Sequence, residues 1–430
     1  MLPAWRLPPP VGTGRPAFRD LEDMSSAVPA SRPHRWAAML QPAEARERVI
    51  RRRVGITWCL LVLNCLTYYG SLIPVPTVAG KLITQGALPV ALLLALSVNR
   101  RVIVRPNVFL CLVSLLVVGA VLTILVPQHI GTVYRTIRLA EFVAVLWLLT
   151  PWWGRRDMLL IHYHRVALWA ILGSVFLGVL VAPNYAAGGR LSGVLWEIPP
   201  TEVAHYAAIL LGLVVVPWLY GEMSGRYTLL VVVVAGVSLV LTHTRTALVA
   251  VVAGIMIAAL SMVVARARVR KFFAIGGAIV SIAIITLSSV ITTWLARGEG
   301  TSQLTDLTGR TKVWGPLLAF PRDRFQEILG FGLSNSSFNG LPIDSNWLAS
   351  YEEQGLWGVV ICATILLFLL VIAYFQPRGV QRALALFLVA YCMVASFTEV
   401  GFTDASMYLL DIYLAASLLV PINHRDRSLV

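Results

Sequence analysis

Charged side chains are scarce in this 430-residue chain: they make up 13% of it, roughly half the share found in soluble globular domains. That shortage excludes a large water-soluble body. Acidic residues are scarcer still, 21 against 35 Lys and Arg, which leaves a formal charge of +14. Cysteine is limited to Cys59, Cys65, Cys111, Cys362 and Cys392, all within apolar runs. They show neither a disulfide framework nor metal-ligand spacing, and read as small packing residues. Short alternating strands are absent, which excludes a transmembrane barrel. The positive charge does not imply nucleic acid. Its arginines cluster between apolar runs, as topology signals do, and no basic segment is interleaved with stacking aromatics.

What the chain has is apolar length. Hydrophobic residues reach 58%, in runs that repeatedly attain the ~20 residues an α-helix needs to cross ~30 Å of hydrocarbon. Lipid offers the backbone no hydrogen-bond partner, so such runs must be helical. The expected fold class is therefore all-α: a polytopic integral membrane protein of about twelve transmembrane helices with one long extracytoplasmic loop.

Residues 1–45 are rich in Pro, Arg and Ala and lack the apolar stretch of a signal peptide. Together with the arginines that follow, they predict a disordered basic cytoplasmic tail over 1–50. Arg46, Arg48, Arg51, Arg52 and Arg53 precede the first span and hold the N-terminus inside. Spans are predicted near 55–74, 82–98, 107–126, 133–152, 160–182, 203–220, 227–242, 245–264, 272–292, 355–375, 380–398 and 403–421. Only Thr242–Thr244 separate the seventh from the eighth, so one long run with a break is the alternative there. Nine helices thus occupy 51–292, the extracytoplasmic loop 293–354, three more helices 355–421, and a cytoplasmic tail 422–430.

Charge supports this layout. The predicted cytoplasmic loops carry Arg100, Arg101 and Arg105; Arg155, Arg156 and Arg165; Arg266, Arg268, Arg270 and Lys271; Arg378 and Arg382. The predicted outer segments 127–132 and 399–402 have no Lys or Arg. Both termini are therefore expected in the cytoplasm.

The exceptions point to chemistry. Arg135, Arg138, Arg190, Arg245 and Arg310 all fall on the predicted outer side, where topology gives no reason for arginine. Arg135 and Arg138 share a helix face near the outer end of the fourth span, with Glu141 in reach of Arg138. Charge within a span suggests function; a structural ion pair with snorkelling side chains is the alternative. Arg245 lies in Thr-His-Thr-Arg-Thr-Ala-Leu at the outer start of an apolar helix, and Arg310 early in the long loop. Guanidinium forks bind phosphate oxygens bidentately, so several together at one face suit a lipid-linked pyrophosphate. Singly, each reads equally as an interfacial or structural arginine. Asp344, shortly before the tenth span, is placed to accept a proton from a sugar hydroxyl; its alternative role is N-cap of the helix that follows. Glu353 reads as packing or helix-end electrostatics.

Several of these pieces recur in order: Arg190-Leu-Ser-Gly193 before a Pro-containing loop, Thr-Arg-Thr-Ala at 244–247, Gly309-Arg310 with Trp314, Gly-Phe-Gly at 330–332, and the Leu348, Glu353, Gly355, Gly358 spacing. In this order the chain resembles the O-antigen ligase and O-antigen polymerase superfamily of bacterial inner-membrane glycan-assembly enzymes. The resemblance covers roughly 180–375 in motifs and the whole chain in helix number. It implies a glycosyltransferase that takes a glycan from a polyprenyl pyrophosphate and passes it to an acceptor glycan at the bilayer surface. It further implies that Arg190 and Arg245 hold the pyrophosphate, with Arg310, Arg138 and Arg135 assisting. No cofactor and no metal are implied. Typical ligases have His-Asn where this chain has Asp344-Ser345, and the loop contains no histidine. The resemblance therefore makes Asp344 the expected catalytic base and favours a polymerase-like or divergent enzyme over a lipid-A ligase. Direct displacement predicts inversion, since no second carboxylate is evident as a covalent nucleophile. A lipid-linked oligosaccharide flippase or polysaccharide transporter is the rival; it would place charge mid-membrane on several helices. A metal-dependent transferase with an acidic pair in its first outer loop is disfavoured, because 75–81 holds Lys81 and no carboxylate.

Overall fold

Backbone groups without water must bond along their own helix, and the computed structural model is helical throughout its described residues apart from turns and one two-stranded ribbon. Those residues are 33–66, 68, 70, 72, 75–124, 130–155, 157–184, 189–263, 266–278, 286 and 310–421, with side chains from 45 onward except that of Thr311. Residues 1–32 and 422–430 of the predicted tails, Arg156, part of the outer segment 127–132, the ninth span beyond 278 except residue 286, and the loop up to Gly309 lie outside them.

The chain divides into two compact units, Met1–Val49 and Ile50–Val430. The first contributes, among the described residues, the opening turns of α1 (Pro33–Cys65). Residues 33–50, placed in the predicted tail, are helical. Apart from Pro42, residues 36–49 are free of Gly and Pro and rich in Ala, Glu and Arg, all good helix formers. At its other end α1 stops at Cys65, ahead of Gly70 and Pro76, both unfavourable to its continuation.

In the second unit follow α2 (Thr77–Val98), α3 (Val108–Ile124), α4 (Ile130–Leu148), α5 (Leu159–Val181), α6 (Pro200–Tyr220), α7 (Gly225–Leu241) and α8 (Arg245–Leu260). Residues 267–278 are also helical. Then come α9 (Thr311–Ala319), α10 (Arg324–Leu329), the ribbon β1 (Ser337–Phe338) and β2 (Leu341–Pro342), α11 (Asn346–Phe375), α12 (Val380–Ala395) and α13 (Met407–Leu418). The 227–264 run resolves into two helices, α7 and α8, broken at Thr242–Thr244. The predicted loop boundary at 354 falls inside a helix: α11 starts at Asn346 and bends at Gly355, whose φ of 60° and ψ of −157° interrupt it.

Helices α2, α5, α6 and α11 are long and apolar enough to cross a membrane. α3, α7, α8, α12 and α13 are apolar but shorter. The most apolar stretch of α6 is 83% buried against the rest of the chain, against 28% for α2, so α6 is central and α2 peripheral. α6 packs on α5, α7, α8 and α12, and α12 packs most extensively on α8. Lipid supplies little apolar drive between helices, so close approach depends on small residues. Phe387 of α12 fills the space left by Gly212 of α6 and Gly254 of α8. A Cβ at these positions would come within 1.8 Å and 2.9 Å of its ring. That junction brings the starts of α8 and α11 and the α12–α13 loop (396–406) to one end of the bundle.

Candidate functional site

At that end the first turn of α8 is the focus. His243 takes a left-handed φ of 49° between α7 and α8, so the chain reverses in three residues. As at any helix start, the first N–H groups, here of Arg245, Thr246 and Ala247, have no helical acceptor. They carry the positive end of the helix dipole. The Arg190 guanidinium lies across this break: Nε donates to the Thr242 carbonyl at 2.8 Å and Nη2 to Thr244 Oγ1 at 3.1 Å. Leu191 N adds a bond to the Leu241 carbonyl at 3.0 Å. Arg190 is thereby fixed beside the α8 N-terminus. Arg245, half-buried at the first helical position, has no hydrogen-bond or ion-pair partner among the described residues, and its Nε is enclosed.

The 396–406 loop joins Arg310 to the same place. Thr398 Oγ1 donates to Thr246 Oγ1 at 2.7 Å, while Arg310 Nη2 donates to the Thr398 carbonyl at 3.3 Å. Arg310 Nε also lies 3.7 Å from Asp344 Oδ2. Arg190, Arg245, Arg310 and Asp344, well separated in sequence, are thus linked to one helix N-terminus, Arg310 through Thr398 and Asp344 through Arg310. Glu399 stands among them. Burial pushes its carboxyl up to about 7, opposed by Arg310 and, more weakly, Arg190, and reinforced by Asp344. Burial likewise depresses the Arg190 guanidinium, with Glu399 acting against it.

Asp344 does not cap α11. Ser345 occupies the N-cap position, and Asp344 precedes it at a left-handed φ of 44°, a region Asp tolerates better than most residues. Its side chain is 47% exposed and open to a substrate. The backbone on either side is tied down: Trp314 Nε1 donates to the Ile343 carbonyl at 2.9 Å, and Ile343 N to the Ser336 carbonyl at 3.0 Å. Asn346 Oδ1 accepts from Phe402 N at 2.9 Å and Gly401 N at 3.3 Å, binding the α11 start to the 396–406 loop.

The Gly-Phe-Gly and Glu-x-Gly motifs form the frame beneath. Phe331 N donates to the Glu352 carbonyl at 2.8 Å and Gly332 N to the Glu353 carbonyl at 2.9 Å. Gly330, at φ 75°, and Gly355 allow this approach. A Cβ on Gly330 would meet the Glu353–Gln354 backbone at 2.4 Å, and one on Gly355 the Ile328 backbone at 2.5 Å. The buried Glu353 Oε1 accepts from the backbone and hydroxyl of both Ser334 and Ser336 at 3.0–3.1 Å. Glu353 thus ties the 334–336 segment to α11.

Arg135 and Arg138 line a different recess. It is a cavity of about 450 Å³ also walled by Asn64, Lys81, Tyr134 and Asp404, and Arg190, Arg245, Arg310 and Asp344 are not among its walls. The expected Arg138–Glu141 pair does not form, because better acceptors lie across the bundle. Arg138 donates to Asn64 Oδ1 at 3.2 Å and to the Asn64 and Ala405 carbonyls at 2.9 Å each. Asp404 Oδ2 lies 3.6 Å from Arg138 and 3.5 Å from Arg135, and Arg135 also meets Asn335.

A further polar centre is fully enclosed among the helices. Asp411 of α13 lies 3.2 Å from His164 Nε2 of α5 and 2.9 Å from His205 Nε2 of α6. Trp58 Nε1 donates to His164 Nδ1 at 3.3 Å, and His205 Nδ1 is 3.0 Å from the Tyr391 hydroxyl. The Trp58 bond requires an unprotonated His164 Nδ1, so His164 turns an Nε2–H toward Asp411.

Sequence reading passes over Glu399, Asp404, Asn64 and Asn335. The signal for the first two is present: 399–404 holds two carboxylates in a short segment whose lack of Lys and Arg is what draws notice. His164 and His205 have no such signal, being single polar residues in apolar helices. In comparisons with known proteins, no family model and no curated protein matches the chain.

Proposed function

We propose that this chain is a polytopic enzyme of a bacterial inner membrane, with both termini cytoplasmic and about twelve spans. Its activity is that of an O-antigen ligase or polymerase: a metal-independent, inverting glycosyltransferase moving a glycan from polyprenyl pyrophosphate to an acceptor sugar. The observation that carries this reading is the convergence of Arg190, Arg245 and Arg310 on the N-terminus of α8, with the exposed Asp344 carboxylate 3.7 Å from Arg310. A helix N-terminus with several guanidinium groups is suited to an anion. In the reaction Asp344 takes the proton of an acceptor hydroxyl, whose oxygen attacks the anomeric carbon. The bond from that carbon to the pyrophosphate oxygen breaks, and the leaving group departs with its electron pair, its charge held by the arginines. The products are the extended glycan and free polyprenyl pyrophosphate.

The test is deletion of the gene in its host, followed by complementation with wild type or Asp344→Ala at matched membrane levels. Single repeat units left on the carrier, rescued by wild type and not by Asp344→Ala, support a polymerase with an aspartate base. Full rescue by Asp344→Ala refutes that mechanism, and long chains left unattached on the carrier indicate a ligase.

One observation favours the transporter reading: the enclosed Asp411 with His164 and His205, since buried ionisable groups in membrane helices mark ion or proton pathways. The two readings part on where substrate accumulates in the deletion strain. Accumulation on the inner leaflet favours a flippase, and on the outer leaflet the transferase.

A further inference from the structure

Two clusters of cations flank the 396–406 loop. One is linked to the α8 N-terminus and meets the loop at Thr398. The other, in the cavity of about 450 Å³, meets it at Asp404. They share none of the residues named above. In the second recess Lys81, Arg135 and Arg138 face Asp404 as the one carboxylate among its lining residues. Arg138 has committed most of its donors to Asn64 and Ala405, and so builds the wall. Arg135 meets Asn335 and reaches Asp404 only at 3.5 Å, long for a charge-assisted bond, so its charge is incompletely paired. Lys81 is exposed and has no partner among the described residues. Lys81 and Arg135, both lining a polar cavity of this size, can hold a phosphate or pyrophosphate with room for an adjoining sugar.

We infer that the Lys81–Arg135 recess is a second anion site, which binds the prenyl phosphate or pyrophosphate group of a lipid-linked acceptor. This rests on the transferase reading and deepens it. With donor and acceptor each anchored by a phosphate on either side of one loop, the reaction joins two lipid-linked units. The activity is then polymerisation between carriers. The Asp404 bridge offsets the repulsion between Arg135 and Arg138, and ligand phosphate takes over that role at Arg135.

The experiment counts farnesyl pyrophosphate bound to the full chain in phosphatidylcholine nanodiscs by native mass spectrometry. Wild type is expected to take up two molecules. The Lys81→Ala/Arg135→Ala variant retains one, with affinity at the lost site down at least tenfold, and Arg245→Ala retains the other. The retained molecule in each variant reports that the protein is folded. Wild type binding one molecule, lost with Arg245→Ala and indifferent to the Lys81/Arg135 pair, overturns the inference and leaves the transferase reading standing. One molecule lost only with the Lys81/Arg135 pair overturns both. Replacing the lipid by phosphatidylglycerol adds a control. If the molecule at the Lys81/Arg135 recess alone is displaced, the recess takes any anionic headgroup and the acceptor assignment fails.

Discussion

Arg138 and Arg245 lie at the same end of the bundle, and truncating them should have opposite consequences. Arg138→Ala removes three hydrogen bonds, to Asn64 Oδ1 and to the Asn64 and Ala405 carbonyls, plus the ion pair with Asp404 at 3.6 Å. Hydrogen bonds from a charged donor are each worth ~1.5–3 kcal/mol. The side chain is only 15% exposed, so its acceptors and Asp404 would be left poorly solvated, and a net loss of about 3–5 kcal/mol is expected. Arg245 has no such partners, so Arg245→Ala should change stability by about 0.5 kcal/mol or less. What it should lose is anion affinity. One or two charge-assisted bonds to phosphate correspond to roughly a tenfold to hundredfold weaker binding of farnesyl pyrophosphate. Arg245→Lys should recover part of that through charge alone. Thermal unfolding in detergent, followed by fluorescence-detected size exclusion, reads the first quantity, and titration in nanodiscs reads the second. An Arg245→Ala protein that melts several degrees early, or that binds the probe as wild type does, refutes the reasoning.

The Glu399 carboxyl, pushed up to about 7 by burial, is neutral below that pH and negative above it. Its ionisation adds negative charge beside Arg190 and Arg310, so affinity for farnesyl pyrophosphate should fall about threefold to tenfold as pH rises through 7. Glu399→Gln should remove this decline; identical pH profiles for the two proteins would contradict the assignment. Gly355→Ala places a Cβ 2.5 Å from the Ile328 backbone at a φ of 60°. The backbone conformation alone costs about 1–3 kcal/mol, and a melting temperature equal to wild type would show that this joint is not held as described. Asp411→Ala leaves two imidazoles facing an emptied carboxylate site and should destabilise by about 3–5 kcal/mol. Asp411→Asn should cost clearly less, because the Tyr391 hydroxyl can donate or accept and lets His205 exchange tautomers. Equal melting temperatures for the two variants would argue against that tautomer exchange.

The helical class was legible in the sequence because its cause is local. A run of apolar residues long enough for a bilayer has no way other than a helix to satisfy its own backbone. The break at Thr242–Thr244 was legible as well, since polar residues interrupt the run there. Motif order pointed to Arg190, Arg245, Arg310 and Asp344, residues that belong to four separate segments. Their meeting at the α8 N-terminus depended on packing, through the Thr398–Thr246 bond, the Arg190–Thr242 bond and the hold of Asn346 on the 396–406 loop. Tertiary structure also drew Arg135 and Arg138 away from the other arginines and turned Arg138 from the nearby Glu141 to Asn64 and Ala405, because a guanidinium in an enclosed place takes the acceptors that complete its fork. Local spacing shows which side chains share a helix face. Which of them share a cavity is decided by how helices distant in sequence pack against one another.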